Sequence, residues 1–150
     1  MVSVTWAAFA AAAPDLAAFG RARLAGRVAY LATARASDGA PRVHPVTPIV
    51  SEGKLLLFME PTSPKGRDIR MDPRYALHCG VEDDSGGEGE FFVSGTADPS
   101  TDRELRAEAV AAASYSPADR YLLFHLLVDR ATLRRYVNGE PQSQTWAPDL

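Results

Sequence analysis

Residues 54–72 read KLLLFMEPTSPKGRDIRMD, and this stretch decides the fold. Lys54 to Glu60 (KLLLFME) is apolar at nearly every position. Unbroken apolarity describes a strand covered on both faces. Pro61 to Asp72 (PTSPKGRDIRMD) then turns and opens a short helix. Ser63 is a helix-capping residue type, and Pro64 suits the first helical position, where a missing N–H costs nothing. A helix start offers backbone N–H groups and partial positive charge. Thr62 and Ser63 add hydroxyls, Lys65 adds a full charge, and Gly66 lets a ligand approach the backbone. Met59 to Asp72 therefore reads as an anion-binding turn suited to a phosphate. The same Thr-Ser-Pro run is also an ordinary helix start, and the glycine spacing of a Walker loop is absent.

Working outward, Ser51-Glu52-Gly53 is a hairpin turn, preceded by Pro41 to Val50 (PRVHPVTPIV) as a strand. Pro45 and Pro48 confine that strand to an edge or a bulge. Ser37-Asp38-Gly39 is a turn after a strand from Val28 to Arg35. Thr5 caps a short helix to Ala13, and Pro14-Asp15 starts a second that stops by Gly26. Downstream come a strand from Arg74 to Val81, an acidic loop from Glu82 to Gly89, and a strand from Glu90 to Ala97 bulged at Gly95. Thr101 to Ala113 is an amphipathic helix, Pro117 to Arg120 a turn, Tyr121 to Asp129 a strand, and Arg134 to Val137 one more. Gln142 to Leu150 is a polar tail with one aromatic, Trp146. Six or seven strands joined by tight turns argue for antiparallel pairing and a barrel. The expected fold is α+β, mainly β, in one domain: helices over 1–25, barrel over 26–138, tail over 139–150.

The chain has 150 residues, 46 % hydrophobic, enough for a core without metals or disulfides. A net charge of -3 with no basic stripe disfavours nucleic acid. Cys79 is the single cysteine, which excludes a disulfide framework and a cysteine-based zinc site. The Ala10–Ala13 run has no basic residue before it, so no signal peptide is expected. No stretch has the length of a membrane span. The expected location is the cytoplasm. There are only two lysines, Lys54 and Lys65, which draws attention to Lys65.

Several segments in this order resemble the pyridoxamine 5′-phosphate oxidase-like family of FMN-binding split barrels. They are Arg42-Val43-His44-Pro45-Val46, Phe58-Met59-Glu60, Thr62-Ser63-Pro64-Lys65-Gly66, the Asp72-Pro73-Arg74 turn, and the Glu90 to Gly95 strand. The resemblance spans roughly Ala25 to Leu127 and implies an antiparallel split β-barrel with a few peripheral helices. It implies a homodimer with the flavin in a groove between the chains. Arg42, Ser63 and Lys65 would contact the phosphate, with Thr62 and Gly66 beside them. Val43, His44, Met59 and Glu60 would line the ribityl chain and ring, and Trp146 would pack near the isoalloxazine. The expected activity is hydride transfer to or from a small molecule, the protein supplying position and electrostatics. The family also includes users of the deazaflavin F420, whose phosphate Lys65 does not distinguish from that of FMN. Some members bind haem, so a non-catalytic carrier or sensor is the rival. The arginine–histidine signature of true pyridoxamine 5′-phosphate oxidases is not present, so that reaction is not expected.

Other residues carry weaker signals. His44 reads either as a flavin contact or as a strand residue. His78 beside Cys79 reads as packing, and His125 as an interior or interface histidine with a haem role as the alternative. Histidine spacing does not suit zinc. Glu82, Asp83 and Asp84 read as a solvated loop tip that in split barrels can approach the substrate. Tyr115 and Tyr121 read as packing rather than proton donors, and Phe91 and Phe92 must face opposite sides of their strand.

Overall fold

The computed structural model describes residues 2–82, 84 and 87–149. In chain order the elements are α1 (Trp6–Ala12), α2 (Pro14–Leu24), β1 (Ala29–Ala34), β2 (Pro41–Val46), β3 (Ile49–Ser51), β4 (Lys54–Met59), α3 (Pro64–Met71), β5 (Arg74–Cys79), β6 (Glu90–Ser100), α4 (Arg103–Ala112), β7 (Leu122–Leu126), β8 (Arg130–Val137) and β9 (Glu140–Trp146). Asp83 of the acidic run lies outside the described residues, as do Ser85 and Gly86. No described helix is long and apolar enough to cross a membrane.

The strands pair antiparallel in the order β2-β1-β5-β6-β7-β4-β3, with β8 on β6 and β9 on β8. The two ends of that path, β2 and β3, are separated by only Thr47 and Pro48. The sheet is thereby closed on itself by the chain, which makes the split barrel. Pro45 sits on the edge strand β2, where a missing N–H is tolerated, and Pro48 breaks the expected Pro41–Val50 strand into two. The 51–54 hairpin turns on Glu52 and Gly53, both at positive φ.

β4 is covered on both sides, as its composition requires. Leu55, Leu57 and Met59 join the barrel core with Phe9, Leu31, Phe91 and Phe124. Leu56 and Phe58 face the other way into a second cluster under α4, with Ile49, Ala109 and Leu123. Phe91 is fully buried while Phe92 lies on the outer face, so the pair does split between faces. The bulge expected at Gly95 is not in β6, which pairs with β5 in unbroken register through Tyr75 and Gly95; the extra residue is on the facing chain between β7 and β8. Ser94 pairs with Arg130 and Ala97 with Leu126, three steps on one strand against four on the other. A Cβ on Gly95 would stand 1.8 Å from the Leu127 carbonyl oxygen.

The expected polar tail over 139–150 needs correction, because Glu140–Trp146 is strand β9. Its polar residues face solvent on both sides, so no alternation betrayed it. The turn that makes it, Asn138-Gly139, has positive φ at both residues, the common two-residue hairpin solution. Trp146 packs on the buried Phe9 ring at 5.1 Å between centroids, tying β9 to α1.

Candidate functional site

The elements around Lys65 fold together for local reasons. Ser63 caps α3: its Oγ accepts from Gly66 N–H at 3.2 Å and donates to the Glu60 carbonyl at 2.8 Å. With that proton spent, Ser63 serves the helix start and cannot donate to a phosphate in this arrangement. Arg67 N–H goes to the Ser63 carbonyl, and Pro64 has none, which leaves the Lys65 N–H as the free amide of the first turn. Gly66 is required by crowding, since a Cβ there would meet Ser63 Oγ at 3.0 Å and the Glu60 carbonyl at 3.1 Å. Thr62 is exposed.

Lys65 opens onto a cleft of about 300 Å³. Its walls are the β2–β3 bend (Pro45, Val46, Thr47), the end of β4 (Phe58, Met59, Glu60), and Tyr115 and Tyr121 from the α4–β7 connection. Lys65 makes no hydrogen bond or ion pair among the described residues. Met59 contributes little more than its backbone, because its side chain is 1 % exposed and belongs to the core. The Glu60 carboxylate is held by Arg120, with N–O distances of 2.8, 2.9 and 3.0 Å.

Arg42 occupies the neighbouring depression, of about 200 Å³, with Arg35, Pro64 and Arg67. Its Nε donates to Asp68 Oδ2 at 2.7 Å. Asp68 is 1 % exposed and also accepts from Thr33 Oγ1 and Ala36 N–H, each at 2.9 Å. Burial pushes its carboxyl up, but Ala36, Thr33 and Arg42 outweigh burial and hold it below the usual carboxylate value. His44 lies on the same face of β2 as Arg42, and its Nε2 is buried without a partner among the described residues. Burial first, then Lys65 and Arg42, push its pKa down against Asp68, so its imidazole is neutral. Val43 points to the opposite face of β2, where Tyr30, Ala32, Ala76 and Phe92 form an exposed apolar surface.

The sequence candidates therefore divide. Met59, Glu60 and Lys65 share the cleft, Arg42 and His44 adjoin it, and Val43 belongs to the outer face. Ser63 and Gly66 build the turn, and Trp146 stands in the α1 packing and does not line the cleft. Thr47, Tyr115 and Tyr121 were not among the candidates. The signals were only those of turns: Thr47 before Pro48, and Tyr115 and Tyr121 at the two ends of a loop containing Ser116-Pro117. His125 lies beside Lys54, Asp98 and Glu108, with burial pushing its pKa down. His78 stacks on Phe92 and donates from Nδ1 to the Cys79 carbonyl at 2.6 Å.

The residues present fit the phosphate end of a nucleotide-type cofactor. Lys65, without an anionic partner among the described residues, lines the cleft; Arg42 stands in the neighbouring depression, and both are near enough to the His44 imidazole to act on its charge.

Comparison with known proteins agrees with the fold. No curated protein sequence matches the chain. The structure of a haem-binding protein from Mycobacterium smegmatis is similar, with 23 % identity and a TM-score of 0.67. The match covers 88 % of this chain and 58 % of that one, so this chain spans little more than half of its length. A NimC/NimA family protein from Clostridium acetobutylicum matches at 18 % identity and TM-score 0.62, covering 95 % of each chain. A haem storage protein from Vibrio cholerae matches at 15 % identity and TM-score 0.59, covering 90 % of this chain and 93 % of that one. At these identities the likeness establishes the fold. The sequence model of the family described as pyridoxamine 5′-phosphate oxidase matches residues 17–135, which includes every strand of the barrel path and the whole Lys65 cleft. The chain belongs to the pyridoxamine 5′-phosphate oxidase family.

Proposed function

We propose that this protein is an FMN-binding oxidoreductase that works as a homodimer, moving hydride to or from a small molecule. The observation that carries the reading is Lys65, a half-buried cation without an anionic partner among the described residues, set on the first turn of α3 at the mouth of a cleft. Lys65 and its N–H would hold the phosphate, with the outer nitrogens of Arg42 and the His44 Nε2 nearby. The end of β4 and the β2–β3 bend would line the rest. When bound, the flavin would supply hydride chemistry, and the chain would fix its position, with the adjoining His44 imidazole kept neutral. The outer apolar face of Tyr30, Val43 and Phe92 supports the dimer, since Val43 is 64 % and Tyr30 47 % exposed.

A haem-holding, non-catalytic role is the second reading, favoured by the likeness to the M. smegmatis protein and by the His44 and His125 Nε2 atoms, buried without a partner among the described residues. One experiment separates the readings. The purified protein is denatured and the released cofactor identified by absorbance and mass. FMN and F420 are then titrated against wild type and Lys65→Ala. Loss of a charge-assisted bond to phosphate should weaken binding by about 1.5–3 kcal/mol, roughly 10- to 150-fold. Unchanged affinity would remove Lys65 from the phosphate site, and a Soret band would favour haem.

A further inference from the structure

Beside the Lys65 cleft lies the depression of about 200 Å³ in which Arg42 stands. Arg35 and Ser37 enter it from the turn after β1, and Pro64 and Arg67 from the first turn of α3. Three guanidinium groups thus line a hollow whose one acidic member is the buried Asp68. The depression and the cleft meet at consecutive residues, Pro64 in one and Lys65 in the other. Arg35 and Arg67 line the depression and not the cleft, so a phosphate held by Lys65 does not account for them.

Two of the three arginines are fixed from behind. Arg35 Nε donates to Asp38 Oδ1 at 2.9 Å, and the Ala40 N–H holds that same oxygen at 3.1 Å. Arg42 Nε donates to Asp68, which Thr33 and Ala36 hold in turn. Only Nε is engaged in each case, so the outer nitrogens of both forks have no partner among the described residues. The Arg67 guanidinium and the Ser37 hydroxyl make no hydrogen bond or ion pair there either. A guanidinium anchored through Nε presents its two outer nitrogens as a preset fork, the geometry that receives phosphate oxygens in pairs. The charge leans the same way. Asp38 and Asp68 offset two of the three positive charges, and Lys65 next door adds another.

We propose that Arg35, Arg42 and Arg67 form a second anion subsite, which takes the outer phosphate of a diphosphate-bearing flavin while the inner phosphate rests at Lys65; FAD is the simplest such ligand. The proposal rests on reading the Lys65 cleft as the cofactor's phosphate site. FMN and FAD are titrated against the purified full chain at one fixed ionic strength, with fluorescence polarisation of the flavin as the readout. Wild type should bind FAD more tightly than FMN. Arg35→Ala and Arg67→Ala, both at exposed positions, should each weaken FAD binding about three- to tenfold. FMN affinity and melting temperature should stay at wild-type values. Arg35→Ala/Arg67→Ala should lose the preference for FAD altogether. Arg21→Ala/Arg103→Ala removes the same charge from exposed positions outside the depression and should keep the preference. The proposal is overturned by a wild type that binds FAD no better than FMN, by a preference that survives in Arg35→Ala/Arg67→Ala, or by one lost equally in the Arg21→Ala/Arg103→Ala control. Lys65→Ala keeps the two readings apart, since it should weaken both flavins alike. If it leaves FMN affinity intact while the Arg35 and Arg67 variants still erase the FAD preference, the Lys65 reading fails and the arginine subsite stands.

Discussion

Replacing Asp68 by asparagine removes one charge and almost no volume from a carboxylate that is 1 % exposed. If the amide oxygen keeps the Ala36 N–H, the new NH₂ group faces Thr33 and Arg42. Thr33 can rotate its hydroxyl and accept, but the Arg42 Nε–H then meets a donor. One charge-assisted bond is lost, about 1.5–3 kcal/mol. Breaking a fully buried pair costs roughly 3–5 kcal/mol. The Arg42 side chain is 28 % exposed, so water relieves part of that cost and about 2–3 kcal/mol is expected. For a chain of 150 residues this lowers the melting temperature by roughly 5–10 °C. The folded pKa of Asp68 is depressed, so its contribution is complete above the unfolded value and is lost as pH falls through the folded one. Thermal melts followed by circular dichroism should therefore show a wide gap between wild type and variant at about pH 7, and a closing gap below about pH 4. Equal melting temperatures at neutral pH, or a gap undiminished in acid, would refute the reasoning.

Gly95→Ala should cost about 3 kcal/mol or more in urea unfolding, because the added methyl would run into the Leu127 carbonyl and push the β7–β8 connection off the strand. Trp146→Ala should cost about 2–3 kcal/mol through lost packing on Phe9, with FMN affinity retained; weakened FMN binding at unchanged stability would return Trp146 to the cofactor. His78 should titrate near 8 by proton NMR, raised by the Cys79 thiol and backbone and by Glu90 against burial. Its stabilisation is complete below the unfolded value of 6.5 and is lost as pH rises through about 8, so a midpoint at or under 6.5 contradicts this environment.

The barrel was legible because its central strands carry their burial in composition. Lys54 to Met59 can only be a two-sided strand, and the glycine between Ser94 and Thr96 stands where the Leu127 carbonyl leaves no room for a Cβ, although by sequence it reads as a bulge. β9 was not legible by periodicity, since a ribbon wet on both faces has no apolar period to read. Asn138-Gly139 was the available signal, and it outranks the polarity of the residues after it. Lys65 at a helix start was visible in the chain, whereas the diversion of Arg42 to Asp68 was not, because their meeting depends on β2 and α3 packing across 26 residues. The placing of Tyr115 and Tyr121 on the cleft depends on Arg106, which reaches from α4 to carbonyls 12 to 15 residues on, a tertiary arrangement that no local pattern announces.

Thr47 and Pro48 join the first and last strands of the barrel path, and Thr47 also lines the Lys65 cleft. The cleft is therefore built on the weld of the ring. Its walls come from the β2–β3 bend, the end of β4 and the α4–β7 connection, so it is complete only when β7, far along the chain, has paired with β4, a non-local event in the fold. A half-assembled barrel has no vestibule to fill. Were the proposed cofactor held there, its binding would act as a clasp on the entire molecule, adding about 2.7 kcal/mol at a hundredfold excess over Kd. Protein emerging in cells short of that cofactor would accordingly be lost to proteolysis as whole chains, with no clipped remnant left behind.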